Sequence, residues 1–316
     1  MRTKLVAGLK KIMVGMLTGA ALLAAIGLIF AAPALAQRKM IQVKGSDTMV
    51  NLVQILAEEY MAKKPGTAIA VLGGGSGTGI TAIINGTCDL ANHSREWKPK
   101  ELDLAFEKGV RPRIFAIAVD ALSIIVNEKN SVDSLTMAQV GSIFRGEIKN
   151  WKVVGGPDQK ISLYGRQSNS GTYSFLQEHV LNNKNYSQDV KEMNGNAQII
   201  EAVTQDLAGV GYVGVGYVGV GYLYDEKGEI RRGIKVLQIK KDENSPAYSP
   251  LDKEAVYSAR YAISRPLYQS TSGKPSAAVA DFIRFELSPE GQAIVEKEGF
   301  FKVGRELMEQ NEKNLR

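Results

Sequence analysis

Runs of apolar residues recur along the chain, and their spacing alternates between that of strands and that of helices. Alternating or continuous apolar runs predict strands at 40–44, 67–72, 114–119, 122–126 and 161–164. Apolar positions three and four residues apart predict helices at 50–61, 78–85, 136–144, 171–181, 189–205 and 277–297. Strands that alternate with helices are typical of α/β layers around a largely parallel sheet.

The first 36 residues have the pattern of a targeting segment. Four basic residues among the first eleven precede an apolar run over 12–32, and Ala34-Leu35-Ala36 has the spacing that signal peptidase recognises. This pattern predicts a signal peptide over 1–36, cleaved after Ala36, and hence a periplasmic or secreted protein. Because the apolar run is longer than that of most signal peptides, an uncleaved membrane anchor is the alternative.

Charge is nearly balanced once this segment is set aside. The whole chain has 39 basic and 33 acidic residues, and four of the basic residues lie within 1–36. The remaining formal charge of +2 favours neither nucleic acid nor an anionic membrane as a partner. Cys88 is the only cysteine, and the stretch 87–91 around it predicts a short buried strand with a structural thiol.

A five-residue repeat occurs three times over 209–223, as GVGYV, GVGYV and GVGYL. It matches the dinucleotide fingerprint G-x-G-x-x-G, but that fingerprint must open a helix, and the residues after the repeat predict a strand and a turn. Because five is odd against the strand period of two, successive copies would face opposite sides of a strand. The repeat therefore predicts that one copy forms a bulge or a loop.

Three turns of Ser, Thr and Gly each lead directly into a predicted helix. They are Gly-Ser-Asp-Thr at 45–48, Gly-Ser-Gly-Thr at 75–78 and Ser-Asn-Ser-Gly-Thr at 168–172. A helix N-terminus carries unpaired N–H groups and about half a positive charge, and small residues let an anion approach it. Arg166 lies four residues before Ser170, and a guanidinium can bind an oxyanion through two parallel hydrogen bonds. These features predict an oxyanion site, with Arg95 as a weaker second arginine.

Other kinds of site fit the sequence less well. The glycine-rich stretch 73–79 lacks the Gly-Lys-Ser/Thr ending of a P-loop and the Gly-x-Ser-x-Gly of a nucleophile elbow. The two histidines, His93 and His179, lack the spacing of metal ligands. The sequence thus predicts no metal, no cofactor and no catalytic residue. A phosphatase-like hydrolase that uses Ser76 or Ser170 is the alternative from another class.

Six stretches of the chain resemble the phosphate-binding proteins of bacterial phosphate-specific ABC transporters. They are GSDTM (45–49), GGGSGTGI (73–80), DLANHSR (89–95), IFRGEIKNW (143–151), GRQSNSGTYSFL (165–176) and SRPLY (264–268). The resemblance extends from Met40 to about Gly299. It implies an α/β, two-lobed clamshell of the type II periplasmic-binding-protein fold, with a mixed sheet in each lobe.

The resemblance also implies which residues bind phosphate. In this family hydroxyls and helix N-terminal amides, an arginine and often a carboxylate hold the ion, and here the three turns and Arg166 match those elements. The predicted phosphate-binding residues are Ser46, Asp47, Thr48, Met49, Ser76, Gly77, Ser94, Arg95, Arg166, Ser170, Gly171 and Thr172.

The sequence departs from the family pattern at the residue that accepts the phosphate proton. Many relatives have an Asp near the position where this chain has Ser94 and Arg95. Asp47 is the nearest candidate replacement, although an Asp before a helix is about as often a simple N-cap. The triple repeat is also longer than the single Gly-Tyr-Val-Gly stretch of the family, which indicates a tandem duplication.

The prediction as a whole is high-affinity binding of inorganic phosphate in the periplasm and delivery to an ABC-transporter membrane permease, by a monomer without catalytic activity. Residues 37–123 and 262–316 would form lobe 1, and 124–261 would form lobe 2, and the lobes would close on a dehydrated oxyanion. A binder of another tetrahedral oxyanion, sulfate or molybdate, is the alternative within the same class. A proton acceptor in the site would distinguish a phosphate binder from a sulfate binder, because sulfate has no proton to donate at neutral pH.

Overall fold

The computed structural model of the chain describes residues 40–219 and 233–316. The predicted signal peptide over 1–36 and most of the third repeat copy lie outside the described residues. Helices, strands and three sheets are defined over the rest. Within these ranges, none of the helices combines the length and the apolar character that a bilayer crossing requires.

The first sheet has five strands in the order β2-β1-β3-β13-β4. Strand β1 pairs parallel with β2 and β3, whereas β13 pairs antiparallel with β3 and β4. The sheet is therefore mixed rather than largely parallel. Its strands and the helices that follow the first three are β1 (Ile41–Gly45), α1 (Val50–Lys63), β2 (Ile69–Leu72), α2 (Ser76–Ile84), β3 (Leu90–His93), α3 (Pro99–Glu107), β4 (Arg113–Ala121) and β13 (Ser264–Thr271).

The second sheet has the order β10-β5-β9-β7-β8 and is also mixed. Strand β7 runs parallel to β8 and β9, and β5 runs antiparallel to β9 and β10. Its strands and intervening helices are β5 (Ser123–Asn127), α4 (Met137–Phe144), β7 (Ser162–Arg166), α5 (Gly171–His179), β8 (Lys191–Met193), α6 (Asn196–Gln205), β9 (Gly209–Val213) and β10 (Ile234–Val236). A small third sheet consists of β6 (Ser134–Thr136), β11 (Gln238–Lys240) and β12 (Ala247–Tyr248), followed by α7 (Lys253–Tyr257).

Three helices end the chain and pack on the first sheet: α8 (Ala277–Leu287), α9 (Pro289–Lys297) and α10 (Arg305–Leu315). Helix α10 covers β4, which is an edge strand. The Asn311 amide accepts a hydrogen bond from Ala116 N and donates one to Ala116 O, and Asn314 donates to Ile114 O. These side chains pair backbone groups that an edge strand leaves open to another chain.

Burial follows the apolar spacing that predicted the elements. Helix α1 buries Leu52, Val53, Leu56, Ala57 and Tyr60, which form one face of a helix. Strand β1 buries alternate residues, whereas β5 and β9 are buried at every position. Strands buried on both faces read as continuous apolar runs, as the sequence over 122–126 does.

Most predicted elements are confirmed, and two predicted helices are wrong in part. The segment predicted over 189–205 contains strand β8 before helix α6 begins, because Lys191 and Met193 pair with Tyr164 and Arg166 at the sheet edge. The segment predicted over 277–297 is two helices. Ser288 ends the first and caps the second: its hydroxyl donates to Phe285 O and accepts from Gly291 N. Pro289 then occupies the first helical position, where its missing N–H costs nothing.

The predictions for Cys88 and for the repeat had different outcomes. Cys88 precedes β3 instead of lying in it and is only partly buried; burial raises the pKa of its thiol to about 12. The first repeat copy is β9, and the second leaves the sheet as a short 3₁₀ turn over Val215–Tyr217. One copy thus forms a loop, as predicted.

Candidate functional site

The N-termini of helices α2 and α5 meet. Gly77 N donates to Asn169 O over 3.0 Å, and Asn169 Nδ2 donates to Gly74 O over 2.9 Å. Gly171, the first residue of α5, has no room for a side chain: a Cβ would overlap Ser76 Oγ and lie 2.6 Å from Ser94 Oγ. The Ser/Thr/Gly turns at 75–78 and 168–172 therefore lie directly against each other.

Three buried serines form a chain of hydroxyls beside this junction. Ser46 Oγ donates to Ser94 Oγ over 3.0 Å, and Ser94 N donates to Ser76 Oγ over 3.0 Å. The hydroxyls of Ser76 and Ser94 are 3.4 Å apart. All three side chains are at most 2% exposed. A hydroxyl can donate and accept at once, so the cluster can serve either kind of oxyanion oxygen, protonated or not.

Two threonines join the first turn to the third. Thr48 Oγ1 lies 2.9 Å from Thr172 Oγ1, and both residues are at most 1% exposed. Ser170 is the N-cap of α5, because its hydroxyl accepts from the N–H groups of Thr172 and Tyr173 at 3.2 and 3.4 Å. All three turns predicted from the sequence are thus brought together.

Arg166 ends strand β7 with its guanidinium buried at the same place. One terminal nitrogen, Nη2, donates to Asp47 Oδ2 over 2.5 Å and to Asn194 O over 3.0 Å. The other two, Nε and Nη1, are buried without a hydrogen-bond partner among the described residues. Buried guanidinium N–H groups are rarely left unpaired, so these two are available to an anion.

Asp47 binds Arg166 and the glycine-rich loop rather than its own helix. Its Oδ1 accepts from Gly74 N over 2.8 Å and its Oδ2 from Arg166. Helix α1 has Met49 as its N-cap residue, without a side-chain cap hydrogen bond. The alternative that Asp47 is an N-cap is therefore wrong.

Three predicted site residues have other partners in the structure. Arg95 forms a bidentate ion pair with Glu101, at 2.7 and 2.8 Å, and also donates to Glu96 O, so its side chain does not join the hydroxyl cluster. Met49 N donates to Ser46 O, and Gly77 N donates to Asn169 O. The hydrogen bonds of these two N–H groups stabilise the turns that hold the hydroxyls in place.

Four residues absent from the predicted set also line the junction: Asn169, Asp120, Arg265 and Tyr217. Arg265 donates to Thr172 Oγ1 over 3.0 Å and pairs with Asp120. Tyr217, in the second repeat copy, donates its hydroxyl to Asp47 O over 2.8 Å. Asn169 lies in the third predicted turn, Arg265 in the SRPLY motif and Tyr217 in the repeat, but none of these patterns shows which residues are contacted. Asp120 lies in none of the motifs.

The histidines lie outside the junction. Burial lowers the pKa of His93 to about 4. Its Nδ1 lies 2.7 Å from Arg95 O and its Nε2 lies 2.6 Å from Ser270 Oγ. His179 packs on the ring of Phe175. Across 40–219 and 233–316, no group of three His, Cys, Asp or Glu side chains is placed to hold a metal ion.

Comparison with known proteins identifies a family. The model of the PBP superfamily domain matches residues 31–290. The phosphate-binding protein PstS of Pseudomonas aeruginosa is 31% identical over 289 residues, which cover 86% of this chain and 85% of that relative. The phosphate-binding protein PstS of Staphylococcus epidermidis is 31% identical over 258 residues, which cover 79% and 75%.

Solved structures give the same result for the fold. A substrate-binding protein of a phosphate ABC transporter from Clostridium perfringens, solved with bound phosphate, superposes with a TM-score of 0.71 at 26% identity. The alignment covers 84% of this chain and all of that one. An ABC-type phosphate transport receptor from Vibrio cholerae has a TM-score of 0.64 at 25% identity, over 83% of this chain and all of that one.

Proposed function

The chain belongs to the PBP superfamily and, within it, to the PstS family of phosphate-binding proteins, and we propose that it binds inorganic phosphate and delivers it to an ABC-transporter permease. One observation carries the proposal for this chain's own residues. Two helix N-termini, five buried hydroxyls and two unpartnered guanidinium nitrogens of Arg166 converge at one place within the described residues. Hydrogen bonds from a guanidinium, from hydroxyls and from helix N-terminal N–H groups can replace the hydration water of a tetrahedral oxyanion.

The proposed phosphate ligands are the side chains at this junction, with the Ser170 hydroxyl holding the helix end. Arg95 and the amides of Met49 and Gly77 position the turns, since each already has a protein partner. The proposed set that faces the ion is Ser46, Thr48, Ser76, Ser94, Arg166, Gly171 and Thr172, with Asp47 beside Arg166.

The two five-stranded sheets support the proposed lobes, 37–123 with 262–316 and 124–261. Within the described residues, the first sheet takes its strands from β1–β4 and β13, and the second takes its strands from β5 and β7–β10. The chain passes from one sheet to the other at Leu122, between β4 and β5, and returns before β13. Closure of the lobes about these two crossings would bury the ion.

Isothermal calorimetry of the purified mature chain against phosphate, sulfate and molybdate tests the function. We expect tight binding of phosphate and weaker binding of the other two. A chain that binds none of them would overturn the proposal, and a chain that prefers sulfate or molybdate would replace it with the alternative ligand.

Selectivity depends on which group accepts the phosphate proton, and we propose Asp47. Its Oδ2 lies against Arg166, and a carboxylate oxygen retains a second lone pair after accepting one bond. Sulfate at that position would face like charge without a bridging hydrogen. Asp47→Asn should therefore lower the ratio of phosphate to sulfate affinity. An unchanged ratio would exclude Asp47 as the acceptor and leave that role to another carboxylate or to the Ser94 hydroxyl.

We propose further that the chain has no catalytic activity. The relatives are named as phosphate-binding proteins or as parts of phosphate transporters. Neither histidine contacts Ser76 or Ser170, so no described imidazole is placed as a general base. Turnover of a phosphate monoester by the purified chain would contradict this.

The proposed periplasmic or secreted location is tested by the intact mass of the exported protein, whose first residue is expected to be the one after Ala36.

A further inference from the structure

We propose that Arg265 is a second arginine of the oxyanion site, which positions the Thr172 hydroxyl and adds a guanidinium to the ion's surroundings; this inference rests on the proposed phosphate site. Arg265 lies at the start of β13, in the first sheet, and is 3% exposed. Its Nη2 reaches helix α5, which follows strand β7 of the second sheet, and donates to Thr172 Oγ1 over 3.0 Å. Its guanidinium carbon lies 5.0 Å from the centre of the Phe175 ring on the same helix.

The bond from Arg265 restricts what Thr172 can do. A guanidinium only donates, so the Thr172 oxygen must accept this bond. The hydroxyl then has one lone pair and its own hydrogen left, and Thr48 Oγ1 lies 2.9 Å away. One of the two threonine hydrogens forms the bond between Thr48 and Thr172, and the other remains available to an oxyanion. Arg265 thus holds the Thr172 oxygen in place while a threonine hydrogen remains that can be donated to an anion.

Asp120 anchors the guanidinium from the other side. Its Oδ2 accepts from Arg265 Nε at 3.1 Å and from Nη2 at 2.8 Å, while its Oδ1 accepts from Val215 N at 2.8 Å. Both Arg265 and Asp120 are almost completely buried. The pair therefore joins β4, β13 and the second repeat copy at the place where the chain crosses between the sheets.

Arg265 retains a free donor next to the site. Its Nη1 is buried without a hydrogen-bond partner among the described residues, as are Nε and Nη1 of Arg166. Thr172, which Arg265 contacts, lies in the turn and helix that follow Arg166 directly, so the two arginines flank the same turn. A dianion would stabilise two buried guanidinium groups here, because it would accept from their unpaired N–H groups and offset their charge.

The competing explanation is purely structural: Arg265 would only neutralise the buried Asp120. Removing one partner of a buried ion pair destabilises the fold, because it leaves an uncompensated charge. A binding defect in Arg265→Gln alone could therefore come from a damaged fold. The double variant Asp120→Asn/Arg265→Gln separates the explanations, because it removes both charges and retains an oxygen that can accept from Val215 N.

The experiment measures phosphate affinity by calorimetry and thermal unfolding without phosphate, for the wild type, Arg265→Gln, the double variant and the control Arg305→Gln. Arg305 has a side chain that is 91% exposed and forms an ion pair with Glu309, so the control should match the wild type in both measurements. We expect Arg265→Gln to lower the unfolding temperature and weaken phosphate binding by about tenfold to a hundredfold, the range for a lost charge-assisted hydrogen bond. The double variant should recover the unfolding temperature but not the affinity.

The pH profile provides a readout that a structural role would not change. Around the second pKa of phosphate the ion passes from monoanion to dianion, and loss of one guanidinium should reduce the preference for the dianion in the double variant. Recovery of wild-type affinity and pH profile by the double variant would overturn the role of Arg265 while leaving the proposed function intact. If the wild type itself binds no phosphate, the proposed function fails first.

Discussion

At the scale of single residues, Gly171 and Arg166 support the site in opposite ways. Gly171 has no side chain, which lets the start of α5 approach the hydroxyls of Ser76 and Ser94. Arg166 contributes a charge and two buried guanidinium nitrogens without a partner among the described residues. One residue therefore determines whether the helix ends can meet, and the other what the junction can attract.

Gly171→Ala should prevent the junction from closing. The new Cβ would overlap Ser76 Oγ, and these buried atoms have little space into which they can move. Overpacking of this kind costs about 1–3 kcal/mol of folding free energy, and the separation of the hydroxyls should weaken phosphate binding as well. Thermal unfolding and calorimetry measure the two effects. Gly195→Ala is the matched control, since a Cβ there meets nothing within 4 Å; equal behaviour of the two variants would contradict the argument.

Arg166→Ala should weaken phosphate binding by about 2–5 kcal/mol, the range measured when one partner of a buried, hydrogen-bonded charge pair is truncated. The reason is that Nε and Nη1 have no other partner among the described residues, so the ion loses bonds that nothing else replaces. Calorimetry measures the change, with the exposed Arg305→Ala as control. An unchanged affinity would remove Arg166 from the site.

At the scale of elements, the site is built from helix ends and turns more than from whole helices. The second repeat copy shows this, because its loop contacts Asp120 in the first sheet and two residues outside the strands of that sheet. Val215 N donates to Asp120, Tyr217 donates to Asp47 O, and Gly216 leaves no room for a Cβ against the Phe300 ring. A repeat that continued as a strand could not make these contacts.

Tyr217→Phe tests whether this loop stabilises the first binding turn. Loss of the 2.8 Å bond to Asp47 O should cost about 0.5–1.5 kcal/mol, which corresponds to a several-fold weaker phosphate affinity if the bond forms in the phosphate-bound state. Calorimetry of this variant is compared with that of Tyr257→Phe, whose side chain lies at the surface and contacts Lys302 N instead. A Tyr217→Phe variant with the same affinity as that control would show that the loop does not support the turn.

The sequence predicted elements whose signal is local. Thr136 caps α4 and Gly86 ends α2 with a positive φ of 66°, both where the residue type indicates. Strand β8 was missed because its three residues owe their conformation to pairing with β7 and carry no apolar alternation. Asp120 and Arg265 were missed because they are 145 residues apart, and only the folded sheet brings them together. The three Ser/Thr/Gly turns that meet in the fold were recognised because each has a distinctive local sequence.

At the scale of the whole molecule, two buried titratable groups make stability depend on pH in opposite directions. His93 is held neutral, since burial lowers its pKa from 6.5 to about 4. The unfolded chain therefore binds a proton first, and stability is lost as pH falls from about 6.5 toward 4. This contribution is constant above the unfolded pKa of histidine, so measurements at higher pH do not include it.

Glu286 acts at the other end of the pH range. It is fully buried under the first sheet, where Gln269 Nε2 donates to its Oε1 over 3.0 Å, and its Oε2 has no partner among the described residues. Burial raises its pKa well above the usual value of 4.5. The folded state thus retains a proton that the unfolded state has released, and stability is lost as pH rises from about 4.5 toward the raised pKa.

Glu286→Gln removes this titration while it retains the size and the acceptor oxygen of the side chain. At acidic pH both proteins are neutral at this position, so their free energies of unfolding should differ little. As pH rises, folding of the wild type requires that Glu286 either keeps its proton or buries a negative charge, and both lower the stability of the folded state. The glutamine variant has no group that titrates at this position. Denaturant unfolding from about pH 4.5 upward should therefore show the variant gaining stability relative to the wild type, and the contribution of His93, which both proteins share, cancels in the difference. Glu290→Gln, at a side chain that is 51% exposed, should show no such trend. A stability difference that is independent of pH would mean that Glu286 titrates normally and that its burial is compensated by another group.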